Sequence, residues 1–186
     1  MSLHSGAVGW SKSGRSAQEL FGGLAAADVS PRDWLRRAEQ ALAEGDLLQC
    51  GELLMVAADD CLVGQDADEA HWHLQRALRV LDHAPTTSRR LMLRCQLAER
   101  LQTLAQAGAD HGERGATRRL CEQARDLGFE IVGGAERLEH LGQRAGLLLR
   151  VAELFDAMGD QAEAQALRER TFGALGTSDA SSAPLR

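Results

Sequence analysis

A chain of 186 residues with 44% hydrophobic and 26% charged side chains has the composition of a folded domain rather than a disordered one. At that length, folding withdraws roughly 70% of the chain's surface from water without help from a disulfide or a metal. A formal net charge of -6 argues against a general nucleic-acid surface, and the longest apolar run, Leu53 to Ala58, is far shorter than the ~20 residues of a membrane span.

Aromatic residues make up 4% of the chain and tyrosine is missing, so the core has to be built from Leu, Ala, Val and Met, which favours helices over sheets. Of the 21 basic residues only Lys12 is a lysine, which carries no functional reading. Residues 1–29 are rich in Gly and Ser and are expected to form a flexible arm, with Ser16 and Glu19 placed to cap one short helix. They lack a basic region followed by an apolar stretch, so no secretion signal is expected and the cytoplasm is the expected location.

A helical domain is expected over 30–175. Ser30, Pro31 and Asp33 open the first helix, which carries Trp34, Ala38, Ala41 and Leu42 on one face and stops at Gly45. Asp46 caps a second helix, in which Leu47, Cys50, Leu54, Ala57 and Cys61 advance by three or four residues. Asp66 and Glu69 mark the start of a third, running to a stop at Pro85.

Leu93 to Leu104 mark a fourth helix ending near Gly108, and Ala116 to Ile131 a fifth ending before Gly133-Gly134. The sixth takes Leu138, Leu141, Ala145, Leu148, Ala152 and Phe155, ending at Gly159-Asp160, and the seventh takes Ala164, Leu167 and Leu175. The polar stretch 176–186 reads as a disordered tail. The only strand-like run, Phe129 to Val132, is too short to make a sheet. The expected fold is therefore all-α, with about seven antiparallel helices.

The four cysteines have no C-x-x-C spacing, and Cys50 and Cys61, one helix and ~16 Å apart, cannot bridge. All four read as small buried hydrophobes.

The two Gly-Asp turns share flanking residues. Seven positions before the glycine stand Ala38 and Ala152, eleven before stand Trp34 and Leu148, and five after stand Cys50 and Ala164. Twelve after stand Ala57 and Thr171, and four before stand Ala41 and Phe155. This pattern resembles the tetratricopeptide repeat, a helical hairpin of about 34 residues whose small side chains let two helices approach closely. A third, degenerate copy spans Leu97 to Gly108, with Leu101 at the small-residue position. The glycines then lie 63 and 51 residues apart, an irregular array, and an irregular helical bundle remains the alternative.

The resemblance implies a non-catalytic interaction or adaptor module that binds a peptide or helix of another protein in a concave surface, with no cofactor; the apolar runs and the net charge argue against membrane and nucleic-acid partners. Self-association is left open. The expected groove contacts are Arg37, Gln40 and Glu44 on the first hairpin, Arg94 and Glu99 on the second, and Arg150 and Glu153 on the last.

A second reading is a helical ribonuclease of the toxin type, in which an R-x6-H pair, Arg76 and His83, would act on the scissile phosphate. A metal site at His71 and His73, with Asp68 and Glu69 nearby, is not expected. Residues two apart on a helix point about 200° apart, whereas helical metal motifs use i, i+4.

Overall fold

The computed structural model describes residues 31–110, 112 and 114–180. The expected arm at 1–29, with its Ser16–Glu19 cap, and the last residues of the expected tail lie outside them. The described residues form seven α-helices and no strand: α1 (Pro31–Ala43), α2 (Leu47–Val63), α3 (Ala67–His83), α4 (Ser88–Asp110), α5 (Arg114–Ala135), α6 (Leu141–Met158) and α7 (Gln161–Ala180). None of them is long and apolar enough to cross a membrane.

The helices divide into two kinds. In α3 the buried residues Ala70, His73, Leu74, Ala77 and Leu81 recur every three or four positions and define a single apolar face. In α2 the six consecutive residues Leu53 to Ala58 are all buried, so that helix is covered on several sides. The contacts explain the difference: α2, α4 and α6 touch in sequence as a row, α3 packs on α2 and α4, and α5 packs on α4 and α6, while α1 covers α2 and α7 covers α6.

Ion pairs set the directions. Arg89–Glu52 at 2.8 Å and Arg100–Asp59 at 2.7 Å occur in the same order along α2 and α4, so these two helices run parallel. Gly134 at the end of α5 meets Leu91 at the start of α4, so that pair is antiparallel.

One turn is used four times. The residue with positive φ is Gly45, Gln65, Gly112 or Gly159, and in each case its N–H donates to the carbonyl three residues back, on Leu42, Leu62, Ala109 or Asp156. This is a left-handed helix stop, in which orphan carbonyls of the last turn find a donor. At three of the turns the next residue is Asp. Asp46 and Asp66 each accept a hydrogen bond from a backbone N–H three residues on, Gln49 and Glu69, at 2.9 Å. The third, Asp160, instead accepts both nitrogens of Arg125 on α5, at 2.6 and 2.7 Å.

This corrects the expected register. Gly108 lies inside α4, and the left-handed residue is Gly112, so Ala105 rather than Leu101 occupies the small-residue position. The turn at Gln65 has no glycine to advertise it. With both in place, the turns of α2–α3, α4–α5 and α6–α7 at Gln65, Gly112 and Gly159 are spaced 47 residues apart, twice. Leu54, Leu101 and Leu148 correspond, as do Ala58, Ala105 and Ala152, and all six are buried. A 47-residue unit is longer than a tetratricopeptide hairpin because its helices are 17 to 23 residues long. The Gly45 turn joins α1 to the row and so has the opposite phase to Gly159, which leaves it.

Three expected helix ends move. α5 continues through Gly133 and Gly134 to Ala135, and α6 begins at Leu141, leaving Leu138 in the connector. Gly134 is there for proximity: a Cβ on it would lie 2.6 Å from Leu91 Cδ2. α7 continues through Gly176 to Ala180, so the expected tail boundary at 176 falls inside a helix.

The left-handed turns give a prediction of opposite signs. Gln65→Gly is expected to stabilise the protein by up to about 1 kcal/mol and Gly112→Ala to destabilise it by about 1 kcal/mol, because a Cβ at positive φ is strained. Urea denaturation of both variants measures this, and a Gln65→Gly protein no more stable than wild type would contradict the strained turn.

Candidate functional site

The expected groove residues do not form one surface. Arg37 and Gln40 are exposed on α1 and Glu44 in the turn that follows it; Arg37 stacks on Trp34 at 5.2 Å and Gln40 donates to Glu44 at 2.9 Å. The other four lie on α4 and α6. Arg94 is buried and pairs with Asp82 at 3.2 Å and with Glu130, tying α4 to α3 and α5. Arg150 donates to both oxygens of Glu99, at 3.0 and 2.7 Å, tying α6 to α4. Of those four only Glu153 is an exposed side chain. Expecting Arg94, Glu99 and Arg150 on a free face overlooked the crowding of a row helix, where charged side chains are consumed by neighbours on both sides.

The pair Arg76 and His83 lies on α3, two turns or ~10.5 Å apart along the axis. The Arg76 guanidinium sits over the Trp72 ring at 4.7 Å, toward the helix start and away from His83. No shared phosphate position results.

A cleft of about 410 Å³ opens where the α3–α4 connector and the start of α4 meet the end of α5. Thr86, Thr87, Arg90, Arg94 and Arg137 line it, together with the Glu130 carboxylate, which is paired with Arg94. Thr87 caps α4, its hydroxyl accepting the Arg90 N–H at 3.2 Å, so the positive end of α4 faces the cleft. Arg90 reaches back to the carbonyls of Ala84 and Asp82 and to the Thr86 hydroxyl, and Arg137 donates to the Gly133 carbonyl. Neither guanidinium has a carboxylate partner among the described ion pairs, and Arg90 Nε is buried with no acceptor. Gly134 and Leu91, which approach each other closely, both line the cleft. Its chemistry suits an anion, with two cationic forks, two hydroxyls and a helix N-terminus. Sequence reasoning missed Thr86, Thr87 and Arg137, because they become neighbours of Arg90 only when α5 runs on past its glycines.

A second cluster gathers at the α2–α3 turn. Cys61, Glu69 and His73 bring one sulfur, oxygen and nitrogen donor each within 4.8 Å of one another. His71 points away, exposed and bonded to Gln75 at 3.1 Å, as expected for residues two apart. Burial pushes the Cys61 thiol up to about 11, helped by the carboxylates of Glu69, Asp66 and Asp60. Burial likewise pushes Cys95 up to about 12. All four cysteines are free thiols, three of them buried and Cys121 half-buried.

No family model matches the chain, and no curated protein matches its sequence. Among solved structures, a chain of the DHF58 filament is similar over 79% of this chain and 78% of that one, at 20% identity and a TM-score of 0.40. A likeness that distant carries no argument about function.

Proposed function

We propose that the chain is a non-catalytic interaction module, a stack of helical hairpins that binds an acidic segment of another protein. The tetratricopeptide resemblance supports it in kind, as stacked hairpins with a longer unit, and the cleft supplies the chemistry. The observation that carries the reading is the pair Arg90 and Arg137, cations without carboxylate partners beside the Thr86 and Thr87 hydroxyls. A peptide carboxylate entering there would gain charge-assisted hydrogen bonds. Four free thiols accord with a reducing, cytoplasmic setting.

Fluorescence anisotropy with labelled peptides tests this. An Asp/Glu-rich peptide is expected to bind, a Lys/Arg-rich one not to, and added salt to weaken the complex. Arg137→Glu, on an exposed side chain, should lower the affinity roughly tenfold or more without altering the fold. Equal binding of acidic and basic peptides, or an Arg137→Glu protein that binds as wild type does, rules the cleft out. The protein is expected to leave RNA intact; cleavage lost on His83→Ala would reinstate the nuclease reading.

A further inference from the structure

The α2–α3 turn brings together three side chains of metal-ligand type, Cys61, Glu69 and His73. Cys61 sits in the last turn of α2, and Glu69 and His73 are one turn apart at the start of α3. The intervening turn is pinned by Gly64 N–H to the Asp60 carbonyl at 3.0 Å and Asp66 N–H to the Cys61 carbonyl at 2.9 Å. It therefore sets the cysteine against the i, i+4 pair, the spacing at which two helical side chains converge on one ion.

His73 is the unexplained member. Its side chain is 0% exposed, yet neither ring nitrogen has a hydrogen-bond partner, and Nε2 faces Glu69 Oε1 at 3.7 Å, beyond hydrogen-bond reach. Buried polar groups are rarely left so. The internal repeat gives an independent comparison. In the 47-residue register His73 corresponds to Leu120 and Leu167, both buried, so leucine meets the packing need at this place in the other two hairpins.

We propose that Cys61, Glu69 and His73 bind a divalent cation of the zinc class through one sulfur, one oxygen and one nitrogen atom. Thiolate and imidazole together select borderline ions over magnesium and calcium, which take oxygen ligands. Ligand bonds of about 2.0–2.3 Å in a tetrahedral arrangement place donor atoms roughly 3.5 Å apart, so the cluster draws in by about 1 Å. Glu69, whose side chain is 54% exposed, is the group free to move and leaves the fourth position open to water. On binding, the Cys61 thiol releases one proton to solvent. The cation, thiolate and Glu69 carboxylate then sum to zero, so no uncompensated charge is buried. The imidazole binds as the neutral ring, accounting for a nitrogen that packing leaves without a partner.

The full chain, stripped with a chelator and titrated with Co²⁺ and then Zn²⁺, tests this. One Co²⁺ per chain is expected, with a thiolate-to-cobalt charge-transfer band in the near ultraviolet that Zn²⁺ abolishes. Cys61→Ala should lose the band, and Glu69→Gln and His73→Leu should each weaken binding at least tenfold. Zinc in hundredfold excess over its Kd should raise the wild-type melting temperature by about 5 °C or more and leave that of His73→Leu unchanged. His73→Leu restores the residue type of the other two hairpins, so it should fold even if Cys61→Ala does not. The absence of a band, or a band and affinity unaltered in Glu69→Gln and His73→Leu, overturns the site.

Discussion

Ala152→Arg is expected to abolish cooperative unfolding, or to lower stability by about 4 kcal/mol or more. Ala152 is 0% exposed on α6, seven residues before the Gly159 turn, in the position that Ala58 and Ala105 fill in the other two hairpins. At each of these positions the chain places a methyl group where a larger side chain would hold the helices apart. An arginine there has no acceptor within the core and cannot reach water without separating α6 from its neighbours. Stabilities of domains are about 5–15 kcal/mol, so this one change removes a large share of the total. Ala152→Gly, which adds no bulk, should cost only about 1 kcal/mol through helix propensity. Calorimetry of the two variants separates steric exclusion from backbone effects. A normal melt for Ala152→Arg would mean that α6 and its neighbours are not in close contact.

The second large effect belongs to Phe155 and Gly128, which share one volume between α6 and α5. Phe155 is 1% exposed, and its truncation to Ala should cost about 3–5 kcal/mol through lost burial and the cavity left behind. A Cβ on Gly128 would stand 2.8 Å from Phe155 Cε1 and 3.5 Å from Val151 Cγ1. The ring has little room to retreat, because Phe129 lies against it with centroids 5.0 Å apart. Gly128→Leu alone should therefore cost about 1–3 kcal/mol by overpacking. In Gly128→Leu/Phe155→Ala the new side chain grows into the space the ring has left. Denaturation of the double variant should show a loss smaller than the sum of the two single losses by 1 kcal/mol or more. Strict additivity would show that the two positions do not compete for the same space.

The helices were legible because their signals are local. Asp46 and Asp66 cap α2 and α3 where their sequence contexts place them, Pro85 follows the end of α3, and all seven expected helices are present among the described residues. The errors share a cause. Gly133, Gly134 and Gly176 read as helix stops, yet all three are helical; Gly134 is small because Leu91 comes close, a fact about another helix. Gln65 was overlooked as a stop because glutamine, unlike glycine, does not favour the left-handed conformation it takes there. Missing it hid the regular spacing of the hairpins.

The site residues divide in the same way. Arg94, Glu99 and Arg150 read as free helix-face charges, because a sequence does not say how many neighbours a helix has, and α4 touches four others. The residues that do gather were either ignored, as Thr86, Thr87 and Arg137 were, or judged in the wrong company, as His73 was beside His71. Sequence alone determined the number of helices, their apolar faces and the caps of α2 and α3, since the 3.6-residue period and a carboxylate at a helix start act within a few residues. Tertiary packing decided that Gln65 and Gly112 take the other two left-handed turns, which arginines are consumed as ties between helices, and which thiol faces His73. Those outcomes depend on contact between segments far apart in the chain, and only folding makes them neighbours.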